Sequence, residues 1–142
     1  MGRIVGFDVG ERRIGVAVSD ASGTLARPVG TLSVRALDRG ALDAAVEQVA
    51  RFAAEDDSVS HVVVGLPRHL DGTPNDLTPK VEQFARNLAE RTRLPVSLQD
   101  ERLSSQEAES RLALREKNWR VRKQRLDAAA AAIILQDYLD SR

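Results

Sequence analysis

Four carboxylates stand in places where a folded chain does not put charge without reason. Asp8 lies inside the apolar run RIVGFDV, Asp100 and Glu101 follow directly on LPVSLQ, and Asp127 opens the alanine-rich stretch DAAAAAIIL. An ionised carboxylate among residues destined for a sheet interior is costly unless it is paired, hydrogen-bonded or bound to a metal. If these segments converge, the acids meet near Asp8, and their repulsion raises at least one pKa unless a cation neutralises them. Hard divalent ions suit such a cluster, because Mg²⁺ takes a few carboxylates and keeps water and substrate phosphate as its other ligands. Two such ions about 3.5–4 Å apart can clamp the attacking and leaving oxygens of a phosphodiester. Each acid also has a plainer reading. Arg12 or Arg13 can neutralise Asp8, Lys123 can pair with Asp127 one turn away, and Asp100 and Glu101 can cap a following helix.

The elements that must position these acids are legible as alternating patterns. Arg3 to Asp20 reads as a hairpin around Gly10-Glu11-Arg12-Arg13, with Ile4, Gly6 and Asp8 on one face and Val5, Phe7 and Val9 on the other. Gly6, Gly10 and Gly15 suggest places where backbone approaches a ligand closely. A third strand, Thr24 to Val34, contains Pro28 and so belongs at an edge. Asp38 caps a helix through Glu55 whose apolar face is Leu42, Ala45, Val46 and Val49. HVVVGL, His61 to Leu66, has the composition of a strand covered on both faces, and Pro67 ends it. After the turn-rich loop Arg68 to Leu77, Thr78 as cap and Pro79 at the first helical position open a helix with the stripe Val81, Phe84, Ala85 and Leu88. Leu94 to Gln99 is a fifth strand, and Ser104 with Glu107 forms a capping box for a third helix. The last helix, about Gln124 to Leu139, carries Asp127 on the same face as Ala130, Ala131 and Ile134. This order predicts one α/β domain over 1–142. Its five-stranded mixed sheet combines an antiparallel meander with two parallel strands, and helices cover both faces.

Composition limits the partners. With 142 residues and a formal net charge of zero, the chain makes no global basic field, so a nucleic acid must be met by a local patch. Arg115, Lys117, Arg120, Arg122, Lys123 and Arg125 supply one, and Trp119 among them can stack on a base; a solvated face with one docking aromatic is the alternative. Arg13 and Arg102 flank the acids and can hold a scissile phosphate or simply balance Asp8 and Glu101. His69, without a second ligand nearby in sequence, is expected to face solvent. The absence of cysteine fits a reducing compartment, and neither an apolar span nor a leader is visible. A cytoplasmic protein without membrane contact is expected.

GFDVGERRIGVAVSD, VVVGLPRHLDGTPND, the tripeptide Asp100-Glu101-Arg102 and Leu126-Asp127-Ala128-Ala129, in this order, resemble the YqgF family, also called RuvX. The resemblance spans nearly the whole chain. It implies a ribonuclease H-like fold and a nuclease, proposed in the family to resolve Holliday junctions and linked to maturation of the 5′ end of 16S ribosomal RNA. It further implies Asp8, Glu101 and Asp127 as metal-binding catalytic acids, with Asp100 beside them and Mg²⁺ or Mn²⁺ as cofactor. Branched DNA or precursor ribosomal RNA is the implied partner, and a two-fold symmetric junction would suit a homodimer. Strand four ends in Gly65-Leu66-Pro67, without the acid that better-known bacterial junction resolvases carry there, so the second acid must come from strand five. The hairpin also resembles the phosphate loop of actin-like ATPases and sugar kinases, enzymes that need two such domains. A non-catalytic binding module is a third reading.

Overall fold

The computed structural model describes residues 2–55, 58–101 and 119–142, with 119–125 described by their backbone alone. The chain order is β1 (Arg3–Val9), β2 (Arg13–Ser19), β3 (Ala26–Ser33), α1 (Arg39–Ala53), β4 (Val59–Leu66), α2 (Thr78–Thr92), β5 (Val96–Asp100) and α3 (Trp119–Ser141). The sheet order is β3-β2-β1-β4-β5, antiparallel over β1 to β3 and parallel over β1, β4 and β5. This is the mixed sheet expected from the pattern. Its edge strand β3 accommodates Pro28 with a bulge, Val16 pairing with Gly30 and Ala17 with Pro28. The capping box of Ser104 and Glu107 lies outside the described residues.

Alternation in β1 divides the core in two. Val5, Phe7 and Val9 join Val62, Val64, Ala45, Val49, Val81, Phe84 and Leu88 beneath α1 and α2. Ile4 joins Ala17, Val63, Ala131, Ile134 and Leu135 beneath α3 on the other face. Val62, Val63 and Val64 are wholly buried, because β4 is covered on both faces and flanked by β1 and β5.

Several boundaries differ from the sequence expectation for local reasons. β4 begins two residues earlier, and β5 is shifted to Val96–Asp100, so Asp100 ends the strand rather than following it. α3 begins no later than Trp119, ahead of Gln124. Asp38 caps α1 as expected, its Oδ1 accepting from the Ala41 amide at 3.1 Å. Thr78 is not the cap of α2. Asn75 Oδ1 accepts from the Leu77 and Thr78 amides, while the Thr78 hydroxyl donates to the Pro67 carbonyl. Leu77 stands at the cap position without a side-chain cap bond, and the Thr78 hydroxyl is engaged with the Asn75 amide and the Pro67 carbonyl instead of the first-turn amides.

Gly6 and Gly15 mark a close approach by a helix. A Cβ on Gly6 would stand 2.9 Å from Leu135 Cβ, and one on Gly15 would collide with the Asp127 carbonyl. Both positions let α3 lie directly on the hairpin. Gly15→Ala should therefore lower stability by about 1–3 kcal/mol through overpacking against helix backbone. Gly30, on the edge strand with open space where a Cβ would stand, should accept alanine without loss. Denaturant melts of the two variants check the difference, and equal effects would contradict the close-contact account.

Candidate active site

β1, β4 and β5 run in parallel, so their carboxyl ends open on the same rim, the usual place for a site in an open α/β sheet. A cleft of about 700 Å³ lies there, floored by Asp8, Glu101 and Asp127 and walled by the β1–β2 turn and by His69, Asn75 and Leu77. Asp8 arrives on the α3 face because it shares parity with Ile4 and Gly6. Glu101 is placed by its amide, which donates to the Leu66 carbonyl at 3.3 Å. Asp127 comes from the first described turns of α3, held against Gly15, which is itself the register partner of Asp8.

Gly65 explains how the acid just after β5 reaches one on β1 across β4. A Cβ there would stand 3.1 Å from Glu101 Oε2 and 2.6 Å from Ile134 Cδ1. The bare backbone leaves the space that the Glu101 carboxyl occupies. Asp8 and Glu101 then stand close enough to exchange a hydrogen bond once one of them is protonated.

Among the described residues no ion pair reaches Asp8 or Glu101. Asp8 keeps some exposure toward the cleft but is enclosed elsewhere, and this desolvation raises its pKa. The hydrogen bond with Glu101 lowers it in part, and the charge of Asp127 raises it again. Burial pushes Glu101 up to about 10, with the charge of Asp8, the hydrogen bond to it and the charge of Asp100 adding in the same direction. Without a cation, repulsion and burial keep the pair from ionising fully, so the two carboxyls hold a proton between them. Glu101 Oε2 is buried without a hydrogen-bond partner, an orphan of the kind that binding sites leave.

Asp127 is held differently. Arg13 Nε donates to Asp127 Oδ2 at 2.6 Å, so this arginine balances Asp127 and not Asp8. Neither Arg12 nor Arg13 forms an ion pair with Asp8. Among the described residues no three carboxylate or imidazole groups are gathered tightly enough to enclose an ion as they stand. Hard oxygen donors, a desolvated pair and an orphaned oxygen nonetheless fit a divalent cation at Asp8 and Glu101. Asp100 does not line the cleft and acts on Glu101 through its charge. Arg102 lies outside the described residues, and the side chains of Trp119, Arg120, Arg122 and Lys123 are likewise not described.

His69 is exposed as expected, yet it stands on the cleft wall with Asn75, Asp76 and Leu77, which sequence reasoning did not single out. Asn75 brings that wall into place by fixing the entry to α2. A turn-rich composition signalled a structured loop, but not which strand end it would face.

A family model described as "RuvX: Holliday junction resolvase" matches residues 2–141. The chain belongs to this family. It is 40% identical over 141 residues to a protein of Dechloromonas aromatica named "Putative pre-16S rRNA nuclease", covering 99% of this chain and 92% of that one. A Chloroflexus aggregans protein of the same name is 43% identical over 143 residues, covering 98% and 94%. Thermus thermophilus RuvC, solved in complex with a Holliday junction substrate, shares the fold with a TM-score of 0.57 at 19% identity, covering 100% of this chain and 96% of that one. The fold is thus ribonuclease H-like. RuvX membership along the whole chain sets aside the resemblance to actin-like ATPases and sugar kinases.

The carboxyl pair makes a pH prediction. Both folded-state values lie above their ordinary ones, 3.8 for Asp8 and 4.5 for Glu101. The pair's contribution to stability is therefore whole below those values and is lost as pH rises through the folded-state values, up to about 10 for Glu101. In chelator, thermal melts should show Glu101→Gln gaining stability relative to the parent as pH rises from about 5 toward 10. Parallel pH profiles for the two proteins would contradict this assignment.

Proposed function

We propose that this RuvX nuclease, a hydrolase acting on ester bonds, cleaves phosphodiesters with Mg²⁺ or Mn²⁺ held by Asp8, Glu101 and Asp127. The observation that carries the reading is the enclosed Asp8–Glu101 pair with its orphaned oxygen at the carboxyl ends of three parallel strands. A metal held there would supply Lewis-acid polarisation of the phosphoryl oxygens and a water of lowered pKa as nucleophile.

The chain's own residues do the rest. Asp8 and Glu101, once Glu101 gives up its proton, concentrate negative charge that only a cation can offset, so they select for metal before the polyanionic substrate can approach. Gly65 and Gly15 keep that geometry fixed by letting Glu101 and the α3 backbone come close. Arg13, at the cleft wall, is suited to a bidentate phosphate contact. Arg102, Trp119, Arg120, Arg122 and Lys123 are proposed to extend the binding surface along the nucleic acid, with Trp119 stacking on an unpaired base. Asp100 stays a charge neighbour of Glu101 rather than a ligand.

The natural substrate is proposed to be structured nucleic acid, either branched DNA, as the family description states, or precursor 16S ribosomal RNA, as the relatives' names state. We take 1–142 as one nuclease domain acting in the cytoplasm; among the described residues no helix is long and apolar enough to cross a membrane. Cutting both strands of a junction calls for a homodimer with two sites, whereas trimming RNA does not.

Cleavage of four-way junctions, linear DNA and structured RNA should be compared side by side with Mg²⁺, Mn²⁺ and chelator. Activity should vanish in chelator, and Asp8→Asn should lower turnover at least about a hundredfold. The same variant should melt no lower than the parent in chelator, because a charge is removed from an undercompensated cluster. Cleavage that persists in chelator, by a preparation free of other nucleases, would end the metal mechanism.

A further inference from the structure

The Arg13–Asp127 ion pair occupies the acid that the metal reading needs. Arg13 uses only its Nε in this contact, and its two terminal nitrogens have no hydrogen-bond partner among the described residues. Asp127 is pinned by its main chain against Gly15, so its position in the fold is set while its carboxylate remains partly exposed in the cleft. The side chains of Arg13 and Asp127 are 36% and 23% exposed, which places the pair among those worth little to stability and easily exchanged. Asp127 is close enough for its charge to raise the pKa of Asp8, yet the three carboxylates do not form a closed ligand set.

We propose that Arg13 is a placeholder cation: it holds Asp127 until a divalent ion takes that carboxylate, and the guanidinium so released becomes a contact for the substrate phosphate. This rests on the metal-dependent reading above and adds an order to it. Metal must load before Arg13 is available, so tight phosphate binding follows metal binding. The arrangement also keeps Asp127 compensated when the site is empty, where a third uncompensated carboxylate beside Asp8 and Glu101 would add to the repulsion.

The exchange makes predictions of opposite sign, which a purely structural ion pair does not. In the full chain without nucleic acid, calorimetric titration with Mn²⁺ should show Arg13→Gln binding the ion roughly three- to tenfold more tightly, because a competing unit charge has been removed from a solvated cleft. Arg13→Lys should stay near the parent, since it keeps the charge. In the presence of metal, Arg13→Gln should bind nucleic acid more weakly, its salt dependence flattened by about one contact. In the parent, the Arg13 Nε–H resonance should shift on adding Mg²⁺ before any nucleic acid is present.

Unchanged or weaker Mn²⁺ binding in Arg13→Gln would overturn the exchange while leaving the nuclease reading intact. If that variant does not fold, an Arg13 Nε–H resonance that stays fixed through saturation of the parent with Mg²⁺ overturns it equally. Failure of the parent to bind Mn²⁺ at all would remove both readings.

Discussion

The main chain of α3 at Asp127 rests on Gly15 with no room for a methyl group between them, and Leu135 packs on Gly6 in the same way. This contact decides where the acids can gather. Gly15 is the register partner of Asp8, so docking the helix on that glycine brings its first described acid beside the acid of β1. The alanines at 128, 130 and 131 are buried along the same face and let the helix maintain that distance. A side chain at Gly15 would lift α3 from the hairpin and take Asp127 away from the floor of the cleft.

The same use of absent side chains brings in the third acid. Glu101 follows the last residue of β5, two strands from Asp8, and it can span β4 only because Gly65 offers bare backbone on that face. The hydrophobic core on either side of the sheet supplies rigidity, and the carboxyl pair draws on it. Desolvation that would expel a lone carboxylate is tolerated because the two acids share a hydrogen bond and because β1 and β5 are locked on either side of β4.

Much of this was legible in the sequence. Strict alternation put Asp8 on the face of Ile4 and Gly6, and helical offsets put Asp127 with Ala130, Ala131 and Ile134; both assignments hold in the structure. Pro28 marked the edge strand for the simple reason that it cannot donate to a ladder. Long-range choices were not legible. Glycine in a strand signals close approach but not by what, and here the visitor is a helix from more than a hundred residues away. Arg13 had several acids to choose from, and its pairing with Asp127 depends on tertiary placement across 114 residues. The cap position of α2 fell to Leu77, one residue before Thr78, because the Thr78 hydroxyl is engaged with Pro67 and Asn75, a tertiary arrangement that composition alone did not rank. The strand end near Asp100 and Glu101 moved by one residue, enough to put Glu101 on the cleft and leave Asp100 off its lining.

Proton release on metal binding tests the central claim most directly. If Glu101 holds a proton until a divalent ion arrives, calorimetric titration with Mg²⁺ or Mn²⁺ near neutral pH, repeated in buffers of different ionisation enthalpy, should report about one proton released per chain. In Glu101→Gln that release should disappear. Metal binding with no proton released in the parent would show that the pair is already ionised in the empty site, and the account of an undercompensated carboxyl pair waiting for a cation would be wrong.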